Sequence, residues 1–400
     1  MAVRRGLTAP PQTEPRREWL PFHVPSIGEE EIAEVVDTLR SGWVTAGPKV
    51  QRFEQDFAQL LGTEGALALS SGTAALHLAL CAAGVRPGDD VIVPTYTFTA
   101  TAEVVTYLGA RPVLVDVDPV TANLSPHALE RAITRRTRAV MVVHIAGQPC
   151  EMDDVLALTK PRDIAVIEDA AHALPARYRG RLVGTLGDGA AFSFYATKNI
   201  TTGEGGMLVM TDQDALERAR ILSVHGISRD AWKRYTAAGH WRYEVVESGF
   251  KYNMTDIQAS LGIHQLRKLA RFQASRRNHV ERYQSGLADV DAVVTPQEFP
   301  GTEHAWHLFL LRLRPEALRI DRDRFIEELR ARNIGTSVHF IPLHLHPYYQ
   351  QAWRYRAGDF PQAEAVYANT VSLPLYPGMS ESDVDDVIDA VADTVRRHQR

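Results

Sequence analysis

Two segments of the chain end in side chains that could act together on one ligand. Residues 164–172 read IAVIEDAAH, so an apolar run leads directly into Glu168 and Asp169, and residues 190–198 read AAFSFYATK and end in Lys198. In open α/β sheets, ligands bind outside the carboxyl ends of the strands. If both runs are parallel strands, Asp169 and Lys198, which lie 29 positions apart, face a shared cleft.

A carboxylate and a lysine amine are the pair required by a cofactor with an aldehyde and a ring nitrogen. Pyridoxal phosphate (PLP) is held as a Schiff base on a lysine, and a carboxylate keeps its pyridine nitrogen protonated so that the ring accepts electrons. The segment 70–77 (SSGTAALH) could bind the phosphate, because small residues at the start of an apolar helix leave backbone N–H groups and the positive end of the helix dipole free. Gly72 would allow close approach of the ligand.

Each of these three signals also has an ordinary structural explanation. A strand-terminal Asp often caps a helix, a Lys after a strand is usually exposed to solvent, and Ser-Gly-Thr often does no more than begin a helix. Their occurrence together and in this order predicts a PLP site built from Lys198, Asp169 and the helix that starts near Gly72.

The elements that would position these groups follow an α/β pattern. Amphipathic helices are predicted at 27–39 and 50–61 from apolar residues at helical spacing. The predicted strands that follow are mostly continuous apolar runs, which is typical of parallel strands covered by helices on both faces. These strands cover residues 91–93, 113–117, 139–145, 164–168, 190–194 and 207–210.

The last third of the chain predicts a smaller α+β unit. A long helix at 256–283 leads away from the sheet, and it is followed by the elements predicted at 307–313 (strand), 322–332 (helix), 336–340 (strand) and 381–397 (helix). We therefore predict a mobile tail at 1–18, a large PLP-binding domain at 19–270 and a small domain at 271–400.

Composition excludes several classes of protein. The 400 residues are 45% hydrophobic and 23% charged, as in globular proteins, and the net charge of −5 comes with scattered basic residues that do not favour nucleic acid. Polar residues interrupt the uncharged stretch 65–85, so no membrane helix is expected. Cys81 and Cys150 match no metal or redox spacing, which favours a reducing, cytoplasmic location. The histidines late in the chain are expected to be pocket or surface residues, with no metal site.

The ordered motifs resemble the DegT/DnrJ/StrS sugar aminotransferase family over nearly the whole chain. The resemblance implies a PLP-dependent aspartate aminotransferase fold (type I), with a mostly parallel seven-stranded sheet between helices and a smaller α+β C-terminal domain. Segments 248–253 (SGFKYN) and 304–309 (HAWHLF) resemble the branch that forms UDP-4-amino-4-deoxy-L-arabinose. The family motifs are 41–48 (SGWVTAGP), 70–73 (SSGT), 94–98 (PTYTF), 144–149 (HIAGQP), 168–172 (EDAAH), 192–199 (FSFYATKN), 203–206 (GEGG) and 252–256 (YNMTD).

The resemblance also implies a role for each matching residue. Lys198 would carry PLP, Asp169 would pair with the pyridine nitrogen, Gly72, Thr73 and Ser193 would hold the phosphate, Phe98 would stack on the ring, His172 would lie near the cofactor, and Asn253 would reach the cofactor phosphate of the neighbouring subunit. The last role requires a homodimer with shared active sites. The chain departs from the family pattern in having Phe98 where several relatives have Trp, and Pro175 where Gly is common.

These features predict an aminotransferase that moves an amino group from L-glutamate to a keto group, expected at C4, of a nucleotide-linked keto sugar. A lysine at position 198 favours this reaction, because relatives that dehydrate sugars have histidine there. Lys251, Tyr252, Arg229 and His339 are candidates for contacting the substrate, and solvated loop residues are an equally good interpretation of the charged ones. Two alternatives stay open: an aminotransferase for a keto-cyclitol, and a PLP-fold regulatory protein without enzymatic activity.

Overall fold

The computed structural model describes residues 15–228 and 243–400. Most of the predicted tail and the candidate Arg229 lie outside these residues. The helices are α1 (Glu29–Ser41), α2 (Pro48–Leu61), α3 (Gly72–Ala82), α4 (Ala100–Tyr107), α5 (Pro126–Ala132), α6 (Met152–Thr159), α7 (Gln213–Leu222), α8 (Asp256–Gly286), α9 (Arg322–Arg330), α10 (Pro347–Trp353), α11 (Pro361–Asn369) and α12 (Glu381–His398). The strands are β1 (Leu67–Leu69), β2 (Asp90–Pro94), β3 (Arg111–Val115), β4 (Thr137–Val143), β5 (Ala165–Asp169), β6 (Arg177–Tyr178), β7 (Arg181–Leu182), β8 (Gly189–Ser193), β9 (Gly206–Met210), β10 (Val293–Val294), β11 (Thr302–Glu303), β12 (Phe309–Leu313) and β13 (Thr370–Leu373).

A seven-stranded sheet in the order β1-β9-β8-β5-β4-β2-β3 forms the centre of the larger part of the chain. β2, β3, β4, β5 and β8 pair in parallel, and β9 pairs antiparallel with both of its neighbours. Successive residues of one strand enter different cores, as Val166 packs in one apolar cluster and Ile167 in the other. The predicted α/β class, with a mostly parallel sheet buried on both faces, is confirmed.

A second sheet, β10-β12-β13, packs with the end of α8, α9 and α12 around a separate apolar cluster. α8 runs without interruption through the predicted domain boundary at 270, and the division at that residue stays a prediction. Among the described residues, no helix is both long enough and apolar enough to cross a membrane.

The strand predicted at 336–340 is wrong. Only Ser337 forms a single bridge, with Ser372 of β13, and the third strand of the small sheet is β13 itself. Beyond Ser337 the chain leaves the sheet, and His339 and Phe340 line the cavity described below instead of extending the ladder. The alternating segment 336–340 therefore does not form a strand, and it places the rings of His339 and Phe340 in the lining of the cavity.

Candidate active site

The carboxyl ends of β5 and β8 meet the first turn of α3 at a cavity of about 510 Å³. Asp169 is the last residue of β5, Ser193 is the last residue of β8, and Gly72 is the first residue of α3. The predicted residues that line this cavity are Gly72, Thr73, Phe98, Asp169, His172, Ser193, Lys198 and His339. Eight of the candidates from the sequence are thus brought together, and their individual roles stay predictions.

Asp169 is a buried carboxylate held by two hydrogen bonds. Thr101 Oγ1 donates to Oδ2 at 2.8 Å, and the N–H of Ala171 donates to Oδ1 at 3.2 Å. Thr97 Oγ1 lies 2.8 Å from Thr101 Oγ1 and must be the donor there, because the Thr101 proton is used on Asp169. Burial raises the pKa of Asp169, and these hydrogen bonds together with the positive charge of Lys198 oppose that rise. A cationic ring N–H placed beside it would favour the ionised form.

Lys198 lies five residues beyond the end of β8, and its backbone N–H donates to Tyr195 O at 2.9 Å. Removal from bulk water lowers the pKa of Lys198 to about 8, although the negative charge of Asp169 acts in the opposite direction. A large fraction of the amine is therefore neutral near pH 8, and only the neutral amine is nucleophilic or able to accept a proton.

The first turn of α3 is built to receive an anion. Ser71 caps the helix by accepting the N–H of Ala74 at 3.0 Å, which leaves the first-turn N–H groups of Gly72 and Thr73 beside the cavity. A Cβ on Gly72 would lie 2.9 Å from the Cβ of Ser193, so only glycine lets the helix start approach the end of β8 this closely. The result is a cradle of backbone N–H groups and a serine hydroxyl.

Phe98 presents an aromatic face to the same cavity. It is 58% exposed, which is unusual for a phenylalanine, and its ring centroid lies 5.9 Å from that of Phe340. An anion cradle, an aromatic face, a carboxylate and a perturbed lysine fit the phosphate, ring, pyridine nitrogen and aldehyde of PLP. The residues that line the cavity thus fit PLP at these four groups.

Glu168, the neighbour of Asp169, points to the other face of the sheet because side chains alternate along a strand. Its carboxylate is fully buried and accepts the N–H groups of Gly184, Leu186 and Gly187 at 2.8 to 2.9 Å, with His144 Nε2 at 3.1 Å. Burial by itself would raise the pKa of Glu168, but these hydrogen bonds outweigh it and lower the pKa. Glu168 therefore fixes the loop at 184–187 and does not face the cavity.

We expect Glu168→Gln to destabilise the protein and to leave its chemistry intact. The amide would place N–H against a backbone N–H donor, so about 2 kcal/mol of the free energy of unfolding is expected to be lost. The pKa of Glu168 in the folded protein lies below the ordinary value of 4.5. The stabilisation that its ionised carboxylate provides in the wild type is therefore present above pH 4.5 and is lost as the pH falls further. Denaturant unfolding at pH 7 and pH 4, with kcat measured in parallel, checks this, and a stable variant with low kcat would contradict it.

Three of the candidates do not line this cavity. Lys251, Tyr252 and Asn253 run beside β1, where Asn253 bridges to Leu69, and the Lys251 amine donates to Oδ1 of the Asn253 side chain. Tyr252 O accepts the N–H of Ser70 at 2.7 Å, so this segment sits directly behind the anion cradle. The sequence placed these residues in a substrate or partner site, and the structure places them outside the cavity of their own chain.

Sequence reasoning assigned no role to several residues that line the cavity: Thr101, Tyr195, Glu204 and Phe340. His307, one of the late histidines expected in a pocket or at the surface, lines it as well. Thr101 is the second residue of α4, and Phe98 precedes the N-cap of that helix, so helical spacing does not relate the two. Glu204 lies on an irregular loop, where no spacing rule applies.

The DegT/DnrJ/EryC1/StrS aminotransferase family matches residues 25–392 of the chain. The chain is 50% identical over 384 residues to protein MJ1066 of Methanocaldococcus jannaschii, which covers 96% of this chain and all of that protein. It is 49% identical over 382 residues to the spore coat polysaccharide biosynthesis protein SpsC of Bacillus subtilis, which covers 95% of this chain and 98% of SpsC.

Solved structures agree with this family match. The putative sugar aminotransferase Spr1654 from Streptococcus pneumoniae superimposes with a TM-score of 0.89 at 35% identity, over 95% of this chain and 98% of that one, in its pyridoxamine phosphate (PMP) form. Its PLP form matches with the same TM-score. The predicted fold, cofactor and enzyme class are therefore confirmed, and the chain belongs to the DegT/DnrJ/EryC1/StrS family as a PLP-dependent sugar aminotransferase.

Proposed function

We propose that this enzyme transfers the amino group of L-glutamate to the C4 keto group of a nucleotide-linked sugar, as in the branch that forms UDP-4-amino-4-deoxy-L-arabinose. The observation that carries the proposal is the chemistry of the lining. Tyr195, Glu204, His307 and His339 supply hydrogen-bonding groups suited to the hydroxyls of a sugar. A cavity of about 510 Å³ takes the cofactor and a sugar ring, so a nucleotide would extend past its mouth.

Different residues of the chain have different roles in the proposed reaction. Bound PLP supplies an aldehyde that exchanges amines and a ring that accepts electrons. Lys198 Nζ would take a proton from Cα of the amino donor in the first half-reaction and deliver one to the sugar carbon that receives nitrogen in the second. Asp169 would accept the ring N–H, and the cradle at Gly72, Thr73 and Ser193 would hold the phosphate, so that these residues fix the cofactor relative to Lys198 Nζ.

The apolar face of α1 supports the proposal of a homodimer. Ile32, Val36 and Leu39 lie on one side of this helix at spacings of four and three residues, and Trp43 and Val44 follow it, each at least 36% exposed. A contiguous exposed apolar surface of this kind is typical of a protein interface. In a dimer, the segment 251–253 would lie against the other subunit's cavity, where Lys251 and Asn253 could contact a diphosphate or the cofactor phosphate.

We also propose a cytoplasmic location. Cys81 and Cys150 are both buried as free thiols, and a reducing compartment keeps such thiols unpaired.

We expect a nucleotide-linked 4-keto sugar to be a far better substrate than the free sugar. A diphosphate held outside the cavity would contribute binding energy that positions the ketone, so kcat/KM should fall by about 100-fold or more when the nucleotide is absent. The measurement compares a nucleotide-linked 4-keto sugar, the matching free keto sugar and a keto-inositol, each with glutamate and with product mass as the readout. A keto-inositol that reacts best would replace this proposal with the cyclitol alternative.

Shared active sites would allow two inactive subunits to complement each other. Lys198→Ala removes the catalytic amine of one site, and Asn253→Ala removes a contact that, in our proposal, acts in the neighbouring site. Mixed dimers contain one site with both residues intact, so activity should reappear after subunit exchange. Exchange is followed with two affinity tags, and hybrid dimers without activity would count against shared sites.

A further inference from the structure

Two imidazole rings lie side by side in the lining of the cavity. The centroids of His172 and His307 are 4.4 Å apart with an angle of 37° between their planes, and both residues are at most 6% exposed. In each ring Nδ1 is held by a hydrogen bond, whereas Nε2 has no partner among the residues at 15–228 and 243–400. The two rings therefore present free Nε2 atoms whose chemistry depends on the tautomer.

The tautomer of His307 follows from its contact with Asn199. The Asn199 amide nitrogen donates to Leu174 O and to Ala305 O, each at 2.8 Å, so its NH₂ group is fully used and its orientation is fixed. The Asn199 carbonyl oxygen then faces His307 Nδ1 at 3.1 Å. An oxygen can only accept, so His307 carries its proton on Nδ1.

His172 has the opposite tautomer. Its Nδ1 lies 3.2 Å from the N–H of Ala146, which can only donate. Nδ1 of His172 is therefore unprotonated, and a neutral ring must hold its proton on Nε2. One ring of the pair presents an N–H, and the other presents a lone pair.

Both rings stay neutral at physiological pH. Burial lowers the pKa of His172 well below its usual value, with Lys198 and His339 acting in the same direction. Burial likewise lowers the pKa of His307, and His172 and Lys198 add to this effect. A neutral His307 with its proton on Nδ1 has an acceptor, and no donor, at Nε2.

We propose that His307 Nε2 accepts a hydrogen bond from a hydroxyl of the keto sugar close to its reacting carbon, which makes His307 a specificity-determining residue for the sugar half of the reaction. This inference deepens the proposed function, but it rests only on a hydroxyl-bearing keto substrate and requires neither the nucleotide nor the C4 position. A neutral acceptor discriminates between a hydroxyl and its deoxy counterpart, because the deoxy sugar leaves the buried lone pair unpaired. His172, with its N–H, cannot replace it.

The test separates the two half-reactions and uses two variants of one residue. His307→Asn keeps a polar atom near Nδ1 for Asn199 but has no atom at the Nε2 position, while His307→Gln places an amide oxygen near Nε2. Conversion of the PLP form by glutamate, followed by absorbance, should change little in either variant. For the reaction of the PMP form with the keto sugar, His307→Asn should raise KM about tenfold, and His307→Gln should restore most of the loss.

Two further measurements keep the inference falsifiable. A keto sugar lacking the hydroxyl next to the ketone should react equally well with the wild type and with His307→Asn. Nitrogen-15 NMR of the histidine-labelled wild-type protein, which requires no substrate, should find Nδ1 protonated in His307 and Nε2 protonated in His172. Equal losses in both half-reactions, or a proton on Nε2 of His307, would overturn the inference. If the nucleotide-linked 4-keto sugar is not a substrate, the proposed function fails, and the same variants test His307 on the keto sugar identified by product mass.

Discussion

Replacing Lys198 by alanine should lower kcat by about 10³-fold or more while the fold and a reduced affinity for PLP persist. The loss is large because the same amine makes the covalent bond to the cofactor and moves the proton in both half-reactions. The cradle at Gly72 and Ser193 and the carboxylate of Asp169 are untouched by the change, so they should still bind the cofactor.

The measurement is steady-state turnover together with borohydride reduction and peptide mapping of the wild type, which should place the label on Lys198. Lys160→Ala, at an exposed lysine after the end of α6, is a matched control and should keep full activity. Small primary amines added to Lys198→Ala should restore part of the rate, because they can take over the proton transfer. Wild-type turnover in Lys198→Ala would refute the assignment.

The lowered pKa of Lys198 also predicts how the apoenzyme takes up PLP. Only the neutral amine attacks the aldehyde, so the rate of incorporation should rise with pH around a midpoint of about 8 and not near the ordinary value of 10.5. A rate that keeps rising toward pH 10 would show that burial does not perturb this amine.

The meeting of Asp169 and Lys198 could be predicted from the sequence because it depends on a general rule of parallel sheets. Both residues follow apolar runs, and the carboxyl ends of neighbouring parallel strands share one edge. β5 and β8 are such neighbours. The anion cradle was predictable for a similar reason, since the start of α3 is marked by a capping serine and a glycine.

The parts that the sequence could not place depend on contacts distant along the chain. Thr101 is 68 positions from Asp169, and His307 is 108 positions from Asn199, so no local pattern links them. β13 has only four residues and follows α11 directly, which hides it from periodicity. The short segment that leads to His339 has the alternating sequence of a strand, but in the structure it ends at the cavity.

The different roles of Glu168 and Asp169 follow in part from the sequence pattern and in part from packing. Both follow one apolar run, and alternation alone says that they point to opposite faces. The sequence does not tell which face holds the ligand and which holds the loop at 184–187. That depends on the backbone N–H groups that surround Glu168 and on the hydroxyl that Thr101 supplies to Asp169.

Asp169→Asn should therefore lower kcat by about 10²-fold or more at nearly unchanged stability. The amide has almost the same volume, its oxygen can still accept the N–H of Ala171, and its NH₂ can donate to Thr101 Oγ1, whose hydroxyl can turn toward Thr97. It carries no negative charge to hold a proton on the pyridine nitrogen. The hydrogen bonds to Thr101 and to the N–H of Ala171 hold the side chain of Asp169 in place before the cofactor binds. Asp169→Asn therefore removes the charge and keeps the position of the side chain.

Glu168→Gln is the matched control, because it makes the same chemical change at the adjacent residue on the opposite face. We expect the two variants to lose different properties: kcat should fall in Asp169→Asn, and the free energy of unfolding should fall in Glu168→Gln. Near wild-type kcat in Asp169→Asn would mean that Asp169 only caps the chain at the end of β5. Both carboxylates are buried, and both accept backbone N–H groups. Because burial and hydrogen bonding are common to the two residues, a lower kcat in Asp169→Asn than in Glu168→Gln points to a ligand that needs the negative charge of Asp169.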